Sequence, residues 1–261
     1  MTSVVLYPGD TPSHAERTAD RVPDISGKTW VGWFDARPTS GAIGFTEQKL
    51  ERPPTVVVSD VDSTLIEEEV IDQLAHMAGV GAEVAAITEG AMRGNLDFTQ
   101  SLTQRVKLLE GLPTSALTEV AGTLSVRPGV TTLINWVHSN GGVFAVVSGG
   151  FTPIVSLLAK DLGIDFFLAN DFEIKNEALT GRVQGRTVTA ATKLETLRSL
   201  KREHGGPVIA LGDGANDIPM LQAADLGIAV LAKPKVKESV GSWIETDDLS
   251  SAIGLAGFPV F

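Results

Sequence analysis

Cysteine is absent from the 261 residues, which excludes disulfides and thiolate metal ligands and fits a reducing compartment. Only four histidines remain as nitrogen ligands, so any metal is expected to be held by oxygen. No apolar run approaches the roughly 20 residues of a membrane span. The opening "MTSVVLYPGDTPSH" lacks the basic and apolar regions of a secretory leader, so a cytoplasmic protein without a membrane partner is expected. Positive charge is also scarce. Lys and Arg number 21 against 32 Asp and Glu, and the net charge of -11 with no dense basic run argues against a nucleic-acid partner. An acidic chain can still bind a small anion, but only where local positive charge is supplied.

The hydrophobic fraction of 43% and charged fraction of 20% are those of a globular chain, so wholesale disorder is not expected. Residues 1–53 differ from the rest: polar stretches surround the strand-like pieces "SVVLY" and "TWVGWF", and "ERPP" closes the segment at Pro53 and Pro54. About fifty residues make a marginal core alone, so this segment, whose role no motif indicates, is expected to pack on the remainder or on another subunit. From residue 54 on, "TVVVSD", "GVFAVVS", "DFFLAN", "PVIALGD" and "LGIAV" alternate with helical periodicity, the pattern of an α/β fold with a doubly wound parallel sheet. Strand signals stop between about 70 and 125, where residues such as Leu102, Val106 and Leu109 recur at helical spacing. A helical cap inserted after the first core strand is therefore expected.

Ligands of open α/β sheets sit at the carboxyl ends of the strands. Three strands here end in unusual polar residues: Asp60 and Asp62, then Ser148-Gly149-Gly150, then Asp213, Asn216 and Asp217. Asp60 and Asp62, two apart on an extended segment, can share one cleft, where like charges hold one carboxyl protonated unless a cation compensates. Adding Asp213 or Asp217 makes a set of hard oxygen donors that suits Mg2+. The plainer reading is strand-end carboxylates capping helices. "SGGFTP" admits two readings as well, a turn with Thr152 as N-cap and Pro153 at the first helical position, or an anion site of free N–H groups at a helix N-terminus. "TKLE" reads as a capping box from Thr192 to Glu195, which puts Lys193 at the first helical position against the macrodipole. A bound anion would remove that conflict, and a solvated surface lysine is the alternative. Asp217 before "IPML" can likewise be an N-cap.

"DVDST", "SGG", "TKLE" and "GDGAND", in that order, resemble the haloacid dehalogenase-like phosphatases, whose core is Rossmann-like. "AMRGNLDFTQSLTQRVKLLEGLP" is similar to the helical cap of the phosphoserine-cleaving members, and the resemblance spans about residues 55 to 245. It implies a phosphatase domain over residues 54–261 that hydrolyses L-phosphoserine, the last step of serine biosynthesis. Asp60 would be the nucleophile and Asp62 the general acid and base. Mg2+ would be held by Asp60, Asp62 through its main-chain carbonyl, and Asp213, with Asp217 orienting it or its waters. Ser148, Gly149 and Lys193 would hold the phosphoryl oxygens. Glu69 would face the substrate ammonium, Arg105 its carboxylate, and Met92 and Phe98 would close the pocket, with Asn216 in the substrate-binding set. Each of these last residues has a structural alternative as cap packing or solvated helix surface.

Two rivals stand beside this reading. A phosphoacceptor receiver module also uses an acidic cluster, a Ser or Thr and a Lys, but the second aspartate and the cap oppose it. The same catalytic core acting on another small phosphomonoester, or transferring phosphoryl groups between alcohols, is the nearer rival. A homodimer is compatible with the sequence, and the apolar tail "GFPVF" fits either a subunit contact or packing on the core.

Overall fold

A computed structural model describes residues 3–8, 22–23, 29–34, 42–93 and 95–259. Four strands precede the core: β1 (Ser3–Pro8), β2 (Val22–Pro23), β3 (Thr29–Phe34) and β4 (Gly44–Thr46). The core opens with β5 (Val56–Ser59), after which come α1 (Val70–Met77), α2 (Gly81–Met92), α3 (Phe98–Lys107) and α4 (Ser115–Ala121). The chain returns through α5 (Val130–Ser139), β6 (Val143–Phe151), α6 (Thr152–Leu162), β7 (Phe166–Lys175) and β8 (Ala178–Gln184). It finishes with α7 (Ala190–His204), β9 (Val208–Gly212), α8 (Ile218–Ala223), β10 (Leu226–Val230), α9 (Pro234–Val240), β11 (Trp243–Ile244) and α10 (Ser251–Leu255).

One sheet carries all the described strands in the order β2-β3-β1-β4-β11-β10-β9-β5-β6-β7-β8. The six from β11 to β7 run parallel, and antiparallel pairs extend the sheet at both ends. Because the side-chain period of a strand is two, Val56 and Val58 enter one apolar layer with Leu197, Leu200 and Met220, while Val57 enters the other with Leu133, Ile134 and Ile154. Both faces are covered, as continuous β-branched runs require. The segment before Pro53 joins the sheet edge: β4 pairs antiparallel with β11, and β1 with β4. In the C-terminal tail Phe258 packs on Trp136, ring centroids 5.5 Å apart, while residues 260 and 261 lie outside the described residues.

The helices α1 to α4 fill the interval between β5 and β6. Their two connections to the core are stitched together: Glu67 N–H donates to Ser125 O, Ser125 N–H to the Glu68 carboxylate, and Arg127 N–H to Leu65 O. The hairpin of β7 and β8 reaches up to the same helices, with Gly111 N–H donating to Leu179 O and Leu179 N–H to Leu112 O.

Two helix starts differ from the sequence expectation. The N-cap of α7 is Thr189, not Thr192, so Lys193 lies one turn inside the helix and the predicted capping box does not form. Thr189 offers the same hydroxyl three residues earlier, and the earlier start puts Lys193, Leu197 and Leu200 on one buried face. Helix α6 begins after Phe151, which moves Pro153 to the second helical position; Thr152 is helical and not the cap.

Candidate active site

The parallel strands β9, β5, β6 and β7 lie side by side: Asp213 and Asp60 follow β9 and β5 directly, Ser148 lies near the carboxyl end of β6, and Asn170 pairs with Phe151 where the parallel pairing of β6 and β7 stops. Asp60 follows β5 directly, its N–H donating to Leu211 O of β9 and its Oδ1 accepting the Val61 N–H at 2.7 Å. Lys193, fully buried on α7, donates to Asp60 Oδ2 and to Asp217 Oδ1, each at 2.6 Å. Asp217 is fixed further by the Gly214 N–H, and Gly212 must lack a side chain because a Cβ there would stand 2.6 Å from that of Asp217. Thr64 donates its hydroxyl to Asp213 Oδ1 at 3.2 Å.

Asp60, Asp213 and Asp217 can bring one oxygen each within 4.8 Å of one another. Three carboxylates against the single Lys193 ammonium leave two negative charges, the charge of one divalent cation. Burial, the Asp217 charge and then the Asp213 charge push the Asp60 carboxyl well above its usual range despite the lysine. Burial and Asp217 raise Asp213 to about 6. Burial also works against the charge on Lys193, but Asp217 and Asp60 more than offset it and raise the ammonium's pKa. A hard cation held by these oxygens would relieve the conflict, so the residues present fit one.

Asp62 differs from its neighbour. Its Oδ1 is buried without a hydrogen-bond partner, and burial, with the Glu69 charge second, raises its pKa to about 8. Burial of this kind favours the protonated carboxyl, the form that can donate. It faces the glycine loop, where a Cβ on Gly150 would lie 2.9 Å from Asp62 Oδ2 and 3.0 Å from Ser148 Oγ. The Gly150 N–H donates to Ser148 Oγ at 2.8 Å. Phe98, the first residue of α3, leans over this loop so closely that a Cβ on Gly149 would come within 3.0 Å of its ring.

Glu69, at the start of α1, is exposed as a whole residue, but its carboxyl accepts the Ser63 hydroxyl at 2.9 Å and is crowded enough by protein for desolvation to push its pKa up. Arg105 is half-buried in the last turn of α3, where its Nε–H donates weakly to Ser101 O at 3.4 Å, and burial lowers its pKa against the pull of Glu69, Asp72 and Asp62. Asn216 lies half-buried beside Gly214. Met92 ends α2, and its side chain lies outside the described residues.

Four neighbours were not singled out from the sequence: Thr64, Ser63, Arg127 and Asn170. Ser63 adopts a left-handed backbone, φ 56°, that aims its hydroxyl at Glu69, and Arg127 Nη2 donates to its carbonyl at 3.3 Å. Asn170 ends the apolar run "DFFLAN" and the parallel pairing with β6, although β7 itself continues to Lys175, so the end of that run was the signal that could have found it.

Comparison with known proteins places this geometry in context. The family model of haloacid dehalogenase-like hydrolases matches residues 57–222. A phosphoserine phosphatase of Streptococcus thermophilus is 46% identical over 201 residues, 76% of this chain and 94% of that protein. A solved structure of a phospho-aspartyl intermediate analogue of phosphoserine phosphatase superposes with a TM-score of 0.72 at 38% identity, covering 77% of this chain and 98% of the other. A probable phosphoserine phosphatase from Vibrio cholerae matches with a TM-score of 0.79 at 32% identity, over 98% of this chain and 86% of the other.

Proposed function

The chain belongs to the haloacid dehalogenase-like hydrolase family, and from that premise we propose that it hydrolyses L-phosphoserine to serine and phosphate through an aspartyl-phosphate on Asp60, with Mg2+ as cofactor. One observation carries the reading. Asp60 is fixed 2.6 Å from a buried ammonium while Asp62, two residues on, presents a carboxyl with one buried oxygen left without a partner, the pairing of nucleophile and acid that ester cleavage needs. Relatives with this activity, similar over most of their length, support it.

In the first step an Asp60 oxygen attacks phosphorus and the bond from phosphorus to the serine oxygen breaks. Asp62 gives its proton to the departing oxygen and becomes a carboxylate. It then takes a proton from water, whose oxygen attacks the acyl phosphate; the phosphorus–Asp60 bond breaks and Asp62 ends protonated as it began. Lys193 has a third N–H beyond the two given to Asp60 and Asp217, and with the Ser148 hydroxyl and the Gly149 N–H it holds the phosphoryl oxygens. Asp60, Asp213 and the Asp62 carbonyl would hold Mg2+, with Asp217 orienting it or its waters, and the ion would supply the charge neutralisation that a phosphate dianion needs beside so many carboxylates.

Glu69 takes the substrate ammonium and Arg105 its carboxylate, with Phe98 and Met92 closing the cleft against water. Asn216 borders the same space. The reaction belongs to the cytoplasm as the closing step of serine synthesis. Phosphate release from L-phosphoserine, phosphothreonine, sugar phosphates and p-nitrophenyl phosphate, each with Mg2+ and with chelator, tests the reading. Chelator-sensitive turnover with phosphoserine preferred is expected; another preferred ester discards the substrate, and no turnover discards the enzyme.

A further inference from the structure

We propose that Asn170 is a positioning residue for phosphate binding, whose side-chain amide holds the Gly149–Gly150 peptide so that Ser148 presents its hydroxyl proton to a phosphoryl oxygen. The inference rests on the phosphatase reading and adds a residue to it. Asn170 is buried at the point where β7 leaves its parallel pairing with β6. Its Nδ2 donates to Gly149 O at 2.8 Å, and its Oδ1 accepts the Val188 N–H at 2.8 Å. The two partners fix which end of the amide is which, because a carbonyl only accepts and a peptide N–H only donates.

The Gly149 carbonyl and the Gly150 N–H belong to one planar, trans peptide and point to opposite sides. With the carbonyl drawn to Asn170, the N–H is turned onto Ser148 Oγ. That contact occupies the hydroxyl oxygen as acceptor, and among the described residues its proton has no acceptor. A buried donor without a partner is costly, and a phosphoryl oxygen satisfies it. The other end of the amide anchors Val188, the residue before the α7 N-cap, so the helix that delivers Lys193 is referenced to the same side chain. The two groups that grip phosphate, one on β6 and one on α7, are thereby set at a fixed separation.

The test is inhibition by inorganic phosphate, with Mg2+ present, in Asn170→Asp and in the wild type, together with a double-mutant cycle against Ser148→Ala. The aspartate keeps the acceptor for Val188 but places a carboxylate against Gly149 O. At pH about 8 a rise in Ki of about three- to tenfold is expected, the loss of one neutral hydrogen bond. Phosphoserine and p-nitrophenyl phosphate should lose kcat/KM alike. The ratio of variant to wild-type Ki should shrink at acid pH, where the introduced carboxyl is protonated and donates again. In the Ser148→Ala background the substitution should add little. An unchanged Ki in folded protein, full additivity with Ser148→Ala, or a loss confined to phosphoserine would overturn the proposal. Asn170→Ser, which introduces no buried charge, serves the same cycle if the aspartate variant does not fold. A wild type that neither binds phosphate nor cleaves any ester sinks the phosphatase reading itself, a failure distinct from that of Asn170.

Discussion

The floor of the cleft and its roof are built on opposite principles. On the floor, Asp60, Asp217 and Lys193 are buried and locked together at 2.6 Å before any ligand arrives. On the roof, Glu69 lies at the surface and Arg105 is half-buried, and among the described residues their hydrogen bonds run to Ser63 and Ser101 rather than to each other. The floor is preorganised, so charge developing in the reaction meets dipoles already in place. The roof leaves one cation and one anion apart, the arrangement that a zwitterion would complete. In the proposed reading, rate and selectivity fall to separate elements, the strand ends for one and the helices between β5 and β6 for the other.

Substitutions can break that separation, starting with the floor. Asp60→Asn should abolish turnover of every ester, by several orders of magnitude, while circular dichroism and thermal melting show a folded protein; measurable steady-state turnover would remove the covalent route. Lys193→Met leaves Asp60 and Asp217 buried without a counter-ion, so it should also lower stability, by roughly 3–5 kcal/mol in denaturant unfolding without metal. Turning to the roof, Arg105→Ala should cut kcat/KM for phosphoserine by about 100-fold, in the range of a charge-assisted bidentate contact, and leave p-nitrophenyl phosphate within a small factor. Equal losses on both esters would make Arg105 structural. Smallest, and linking the two regions, is the effect of Glu69→Gln on the pH profile. As the proposed general acid Asp62 would enter the reaction protonated, so activity should fall as pH rises through its pKa, which burial raises to about 8. The Glu69 charge helps raise that pKa, so its removal should move the alkaline limb for p-nitrophenyl phosphate toward acid. An unmoved limb would disconnect roof from floor.

The same division governed what could be read from the chain alone. Floor residues stand in short motifs at strand ends, and strand ends follow from apolar runs, so Asp60, Asp62, Ser148 and Asp213 were legible together. Lys193 was found for a reason that the fold does not uphold: two threonines three apart compete as caps, and burial of Lys193 beside Leu197 and Leu200 decides for Thr189. Hairpin β7–β8 was read only as far as Asn170. Its turn uses Asn176 and Glu177, φ 51° and 59°, where glycine is the usual second residue, so the turn signal was muted. Before Pro53, β1 and β3 were legible as strands, but β2 and β4 were not, and neither was the pairing of β4 with β11, which joins residues about 200 apart through backbone hydrogen bonds that leave no mark in sequence.

That pairing also settles how the parallel core ends. Without β4, the two residues of β11 would offer their outer N–H and C=O groups to any strand that came near, beside the aromatic ring of Trp243 that Phe45 now stacks upon, centroids 6.3 Å apart. Strands β1 to β4 therefore act as a blunted border: they continue the ladder into short antiparallel strands, and Gly44 lets β1 approach so closely that a Cβ would stand 2.6 Å from the Leu6 side chain. A chain shortened to begin at the double proline would keep every group on the cleft floor and still be prone to edge-to-edge aggregation.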